Sequence, residues 1–89
     1  MPSQTLKIIN KLGLHARASM KMVDMANRFG SQIHLRYQGN TADAKDILEV
    51  MALGASYGTD ITIQSEGEDE TAAINAIVKL INDRFGEEQ

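Results

Sequence analysis

Gly13, Leu14, His15, Ala16, Arg17, Ala18 and Ser19 have the residue types and the spacing for one definite chemistry. The histidine stands one residue before a helical pattern, with an arginine two positions on. An imidazole so placed lies among the unpaired backbone N–H groups of a helix start, which is where an anion binds. The positive end of the helix dipole, worth ~0.3–1 kcal/mol, favours the neutral ring. Neutral imidazole is a nucleophile. If His15 accepts a phosphoryl group, the N–H groups of Ala16, Arg17 and Ala18 and the Arg17 guanidinium can hold the new oxygens in charge-assisted hydrogen bonds. Taken alone, a histidine before a helix is more often a simple cap or loop residue, so the surrounding chain has to decide.

The elements that would position this ring follow from periodicity. Gln4 to Ile9 alternates around Leu6 and Ile8 as a strand with one buried face, and Asn10 to Gly13 turns. From Ala16 to Phe29 the apolar residues Ala18, Met22, Met25, Ala26 and Phe29 share one helical face opposite Arg17, Lys21, Asp24 and Arg28, and Gly30 is expected to end the helix. Ile33, Leu35 and Tyr37 alternate with Gln32, His34 and Arg36, which puts His34 on a wet strand face without a helix start to activate it. Gly39-Asn40 reads as a hairpin turn and Thr41 to Ala44 as the return strand. Asp46 and Glu49 make a capping box for a short helix that Gly54 stops. Ile61 and Ile63 mark the last strand. Ile74, Ile77, Val78, Ile81 and Phe85 form the stripe of the last helix, with Asp69 and Glu70 at its start, Gly86 closing it and Glu87-Glu88-Gln89 a frayed tail. The order βαββαβα, with every strand alternating, predicts an α+β open-faced sandwich: a four-stranded antiparallel sheet with three helices on one face.

Some apolar residues exceed what the core needs. Ile47, Leu48, Val50, Met51 and Leu53 are too many for so short a helix to bury on one face, and Met20 lies off the stripe of the first helix near His15. Leftover apolar surface beside a reactive site is a docking surface, and methionine suits one that must fit several partners. Met20, Ile47, Leu48 and Met51, with Arg17, are the docking candidates. Lys21, Arg28 and Lys45 could steer acidic partners.

Composition excludes much else. Eighty-nine residues make one domain, residues 1–89. The absence of cysteine removes disulfides, thiolate metal sites and cysteine nucleophiles, and suits a reducing compartment. Two histidines are too few for an ordinary zinc site. A net charge of −3 and only two tyrosines and two phenylalanines argue against a nucleic-acid-binding domain. The start at Met1-Pro2-Ser3-Gln4 has neither a basic nor an apolar leader region, and no apolar run reaches membrane-spanning length, so a cytoplasmic protein without membrane contact is expected. A Gly-rich nucleotide loop and a carboxylate cluster for Mg²⁺ are both missing, so neither metal nor other cofactor is expected.

Asn10-Lys11-Leu12-Gly13-Leu14-His15-Ala16-Arg17 closely resembles the active-site segment of the HPr family, the histidine phosphocarriers of the bacterial phosphoenolpyruvate-dependent phosphotransferase system, including its nitrogen-branch relatives. The resemblance continues through Gly39-Asn40, Ala44-Lys45, Leu53-Gly54 and Gly58-Thr59-Asp60-Ile61-Thr62-Ile63 to Glu66-Gly67-Glu68-Asp69-Glu70. It implies the open-faced sandwich and a carrier, not an enzyme. In that role His15 takes a phosphoryl group on its pros nitrogen, Nδ1, from enzyme I and passes it to a IIA protein of the sugar or nitrogen branch, as a monomer. There are two departures: the family usually has proline where this chain has Ala18, and many members have a regulatory serine where it has Asp46. The competing reading is a regulatory protein-binding module whose histidine is never phosphorylated.

Overall fold

The alternation along each strand has one consequence in space, a sheet with a dry face and a wet one. The computed structural model describes residues 2–88, so Met1 and the Gln89 end of the expected tail lie outside the described residues. Strands β1 (Ser3–Lys7), β2 (Gln32–Tyr37), β3 (Asn40–Asp43) and β4 (Asp60–Glu66) form one sheet in the order β1-β4-β2-β3. Every neighbouring pair is antiparallel. In the register Leu35 lies opposite Ile63 and Ala42, and Ile33 opposite Ser65, so the buried positions line up across three strands. Thr5 and Thr62 pair on the other face, their hydroxyls 2.7 Å apart. Helices α1 (Ala16–Ala26), α2 (Ile47–Leu53) and α3 (Glu70–Asn82) cover the dry face. Met22 and Ala26 of α1, Val50 of α2 and Ile74, Ile77 and Ile81 of α3 join Ile8, Ile33, Leu35, Ile61 and Ile63 in one buried cluster. The open-faced sandwich expected from the pattern is the fold observed.

Local boundaries differ where hydrogen bonds outweigh periodicity. Helix α1 stops at Ala26, with Asn27 as its C-cap, and the Asn27 amide nitrogen donates to the Val23 carbonyl at 3.0 Å. Gly30 therefore does not close it. Gly30 and Ser31 instead donate their N–H groups to the Asp69 carboxylate at 3.0 and 2.9 Å, and the Ser31 hydroxyl donates to it as well. Asp69 thus pins the start of β2 and does not cap α3 with its side chain. The Ser31 hydroxyl bond and then the Gly30 N–H hold its carboxyl below the usual carboxylate range. The hairpin turns on Gln38 and Gly39, both at positive φ (50° and 83°), and Asn40 already pairs with Tyr37 in the sheet.

Asp46 caps α2 as expected, accepting from the N–H groups of Leu48 at 3.0 Å and Glu49 at 3.2 Å. The box is only half formed. The Asp46 N–H already donates to the Asp43 carbonyl at 3.0 Å, so Glu49 reaches past it and accepts from the Asp43 N–H at 3.0 Å. Gly54, left-handed at φ 65°, ends the helix.

The largest departure follows α3. The helix ends at Asn82, and Arg84–Gly86 form a separate 3₁₀ turn. Phe85 fills the core from this turn, not from the helical stripe. Arg84 and Phe85 are both left-handed, with φ of 56° and 54°. For residues other than glycine this costs on the order of 1–3 kcal/mol each. The turn is held nonetheless, by Phe85 in the core and by the Lys21 ammonium, which donates to the Phe85 carbonyl at 2.6 Å.

Candidate functional site

The loop before α1 fixes His15 from below. Gly13, at φ 64°, donates its N–H to the Asn10 carbonyl at 3.0 Å, and the Leu14 N–H donates to Ala55 O at 2.9 Å. Leu14 is buried, and its carbonyl accepts from the Ser19 hydroxyl at 3.1 Å. His15 is then the N-cap of α1, in extended backbone at φ −73° and ψ 179°, and its side chain makes no capping bond. The ring is free for other work.

The first helical hydrogen bond runs from the Ser19 N–H to the His15 carbonyl at 2.8 Å, leaving the N–H groups of Ala16, Arg17 and Ala18 ahead of the ladder. Ala16 and Arg17 are exposed. Ala18 is fully buried, as its place on the apolar stripe implies, so its N–H is less open than those of Ala16 and Arg17. An N–H that has no helical acceptor is also one that proline can lack. Ala18→Pro is therefore expected to shift the unfolding midpoint by only a few degrees and leave the rate of phosphoryl acceptance within a few-fold. A gain of about a hundredfold, equivalent to ~2.7 kcal/mol of barrier, would instead mark Ala18 as a degraded position. Stopped-flow transfer and thermal melts of the two proteins decide it.

Two residues that the sequence places only in a tail and a turn complete the site. Glu87, expected in a frayed tail, turns back under the 3₁₀ turn and accepts from His15 Nε2 through Oε2 and from Asn10 Nδ2 through Oε1, the latter at 3.0 Å. Burial pushes its carboxyl up, but the bonds from Asn10 and His15 and the pull of His15 and Lys21 hold it below the ordinary range. Asn10, fully buried, also donates Nδ2 to the Gly13 carbonyl at 2.8 Å. The histidine side chain keeps 27% of its surface exposed. Among the described residues no hydrogen bond engages His15 Nδ1, and none engages the Arg17 guanidinium. Lys11, Leu12, His15, Ala16, Arg17, Glu87 and Glu88 line an open concavity.

Part of the apolar surplus of α1 and α2 remains exposed, as expected. Met20, Leu48 and Met51 are 59, 77 and 44% exposed, Ile47 is half-buried, and α1 packs on α2. Leu12, 71% exposed in the loop before His15, belongs with them and was missed. Lys21 and Lys45 keep their charge but are tied to the fold, their ammonium groups donating to the Phe85 and Phe29 carbonyls at 2.6 and 2.7 Å. His34 stands mid-strand opposite Asp43 and Gln64 and is not itself at the start of a helix.

An imidazole before a helix start on an open surface has the chemistry to take up a group and hand it on from one protein to another, as a carrier does. The family model described as "PTS HPr component phosphorylation site" matches residues 2–83. Phosphocarrier protein HPr of Cupriavidus necator is 49% identical over 80 residues, 90% of each chain. Its counterpart in Pseudomonas aeruginosa is 48% identical over 88 residues, 98% of each. A crystal structure of HPr from Thermoanaerobacter tengcongensis superposes with a TM-score of 0.96 at 43% identity, covering all of both chains. The chain belongs to the HPr family. It is a phosphocarrier of the phosphotransferase system and not an enzyme.

Proposed function

We propose that His15 is the phosphoryl acceptor and that Nδ1 forms the bond. The observation that carries this reading is the division of labour around the ring: Nε2 faces the Glu87 carboxylate, while among the described residues no hydrogen bond engages Nδ1 at the start of α1. A carboxylate against Nε2 keeps the proton there and leaves the lone pair on Nδ1. The N–H groups of Ala16 and Arg17 and the Arg17 guanidinium then receive the phosphoryl oxygens, with the buried Ala18 N–H the least accessible of the three.

The donor in this reading is enzyme I charged by phosphoenolpyruvate, and the acceptor is a IIA protein. Both dock in turn on Met20, Ile47, Leu48 and Met51 around His15 and Arg17, joined by Leu12. Such an exchange needs a small, renewable contact, which exposed methionine and leucine on two packed helices support. The carrier acts as a single-domain monomer in the cytoplasm, and no described helix is long and apolar enough to cross a membrane. Incubation with enzyme I and radiolabelled phosphoenolpyruvate tests the reading. Lack of label beside an active enzyme I would leave the non-phosphorylated regulatory module in its place.

Asp46 occupies the position of the family's regulatory serine. An aspartate cannot accept that phosphate, and its single charge is smaller than the roughly −1.5 to −2 of a phosphoserine. Its two bonds to the start of α2 give it a sufficient structural role, worth ~0.5–2 kcal/mol as a cap. Asp46→Ser keeps a cap and removes the charge. Its phosphorylation by enzyme I of the same organism is expected to stay within a few-fold of wild type, whereas a large rise would identify the aspartate as a built-in brake.

A further inference from the structure

We propose that Glu87 is a positioning residue for phosphoryl transfer at His15, held against Nε2 by the buried amide of Asn10 and by the left-handed turn that Lys21 anchors. The inference rests on His15 as the phosphoryl acceptor and assigns a role to a side chain which does not touch the phosphoryl group.

The contact is built from several directions. Both groups within reach of the Asn10 amide nitrogen are acceptors, the Gly13 carbonyl at 2.8 Å and Glu87 Oε1 at 3.0 Å. That fixes the amide's orientation, since a flipped side chain would set oxygen against oxygen at both ends. Asn10 Oδ1 is left buried with no partner among the described residues. A buried polar atom left unpaired is unfavourable, so the amide's placement follows from the two bonds its nitrogen makes. From the other side, Glu87 is delivered by backbone alone. Its N–H donates to the Arg84 carbonyl at 2.9 Å, and the Gly86 N–H donates to Asp83 at 3.0 Å. Arg84 and Phe85 sit in a costly left-handed conformation, stabilised by the burial of Phe85 and the Lys21 bond to its carbonyl. A strained turn secured at both ends that places one carboxylate on one ring nitrogen is a feature of a functional site more than of a loose terminus.

The chemistry gives the carboxylate work in both directions of transfer. His15 enters neutral, with its proton on Nε2. The Nδ1 lone pair forms a bond to phosphorus, and the donor's bond to phosphorus breaks with its electron pair returning to the donor. The ring gains positive charge, which the Glu87 carboxylate faces across the Nε2 proton. When the group moves on, the Nδ1–P bond breaks, its pair returns to Nδ1, and the ring leaves neutral with the same proton still on Nε2. External acid or base is needed at neither step.

The test combines a spectroscopic and a kinetic readout on the full chain. In ¹⁵N-labelled protein a downfield, slowly exchanging His15 Nε2 proton is expected for wild type and should be lost in Glu87→Ala. With enzyme I charged by phosphoenolpyruvate as donor, Glu87→Ala should lower kcat ~10-fold with KM within about twofold, the scale of losing a group that orients a reactive ligand. Glu87→Gln can satisfy either Asn10 or His15 but not both, and lacks the charge, so it should fall between. An unchanged ring proton with unchanged kinetics in Glu87→Ala would overturn the proposal, as would a rise in KM alone, which would make Glu87 a docking residue. Absence of label on wild type would instead defeat the acceptor role of His15, and with it any transfer role for Glu87, while the ring-proton comparison would still report the contact.

Discussion

His15→Ala is expected to lose all label from phosphoenolpyruvate-charged enzyme I while remaining folded. The loss should be complete because the other imidazole cannot substitute for it. His34 sits in the middle of β2 between Asp43 and Gln64, on a strand face it shares with the exposed Arg36 but without the start of a helix in its own element to supply unpaired N–H groups. His34→Ala should therefore transfer like wild type. Stability should change little, because His15 caps α1 through its backbone and its side chain makes no capping bond. What disappears is the contact to Glu87, whose carboxylate can turn toward Asn10 and water. A cost of about 1 kcal/mol corresponds to a midpoint shift of roughly 4–8 °C for a domain of this size. The bond on wild type should be a phosphoramidate, labile in acid and stable in alkali. Label surviving on His15→Ala, or alkali-labile label on wild type, would move the chemistry to another residue.

The fold was legible because β2 and β4 alternate with period two and each long helix repeats with period 3.6, although Phe85 enters the core from the 3₁₀ turn and not from the helical stripe. The position of His15 was legible for a related reason: a glycine, a capping position and an apolar stripe follow one another within a few residues. Glu87 was not. Its placement depends on two consecutive non-glycine residues, Arg84 and Phe85, taking up left-handed backbone, and residue type argues against that at both positions. Only the burial of Phe85 and the Lys21 bond from a distant helix make the turn worth its strain, and neither shows in local sequence. Asn10 was hidden similarly, since a turn explains an asparagine without any tertiary bond. Gly30 misled in the opposite way. It looked like a helix stop, but the Asp69 carboxylate had a stronger claim on its N–H.

Gly13→Ala should be strongly damaging, and Gly54→Ala is its control. Both glycines have nearly the same left-handed backbone, φ 64° and 65°. An alanine at either should therefore incur a similar conformational cost, on the order of 1–2 kcal/mol. Their surroundings differ. A Cβ at Gly54 meets nothing within 4 Å, whereas one at Gly13 comes 2.6 Å from the Ala55 carbonyl oxygen and 3.0 Å from Ser56 Cα. Both obstacles at Gly13 are backbone, which cannot rotate aside, so the two loops must separate. Separation breaks the 2.9 Å bond from the Leu14 N–H to the same Ala55 carbonyl and lifts Leu14 from its buried site. With ~1 kcal/mol for that bond, the total approaches ~3 kcal/mol, a fall in midpoint of roughly 15 °C. Since His15 follows Leu14 directly, its ring should also shift against the α1 start and Glu87. A displacement of about 1 Å can cost ~100-fold in rate, so transfer from enzyme I should suffer well below the melting range, while Gly54→Ala transfers normally. Equal melting losses and equal transfer rates for the two variants would mean that the close approach of the loops does not hold His15 in place.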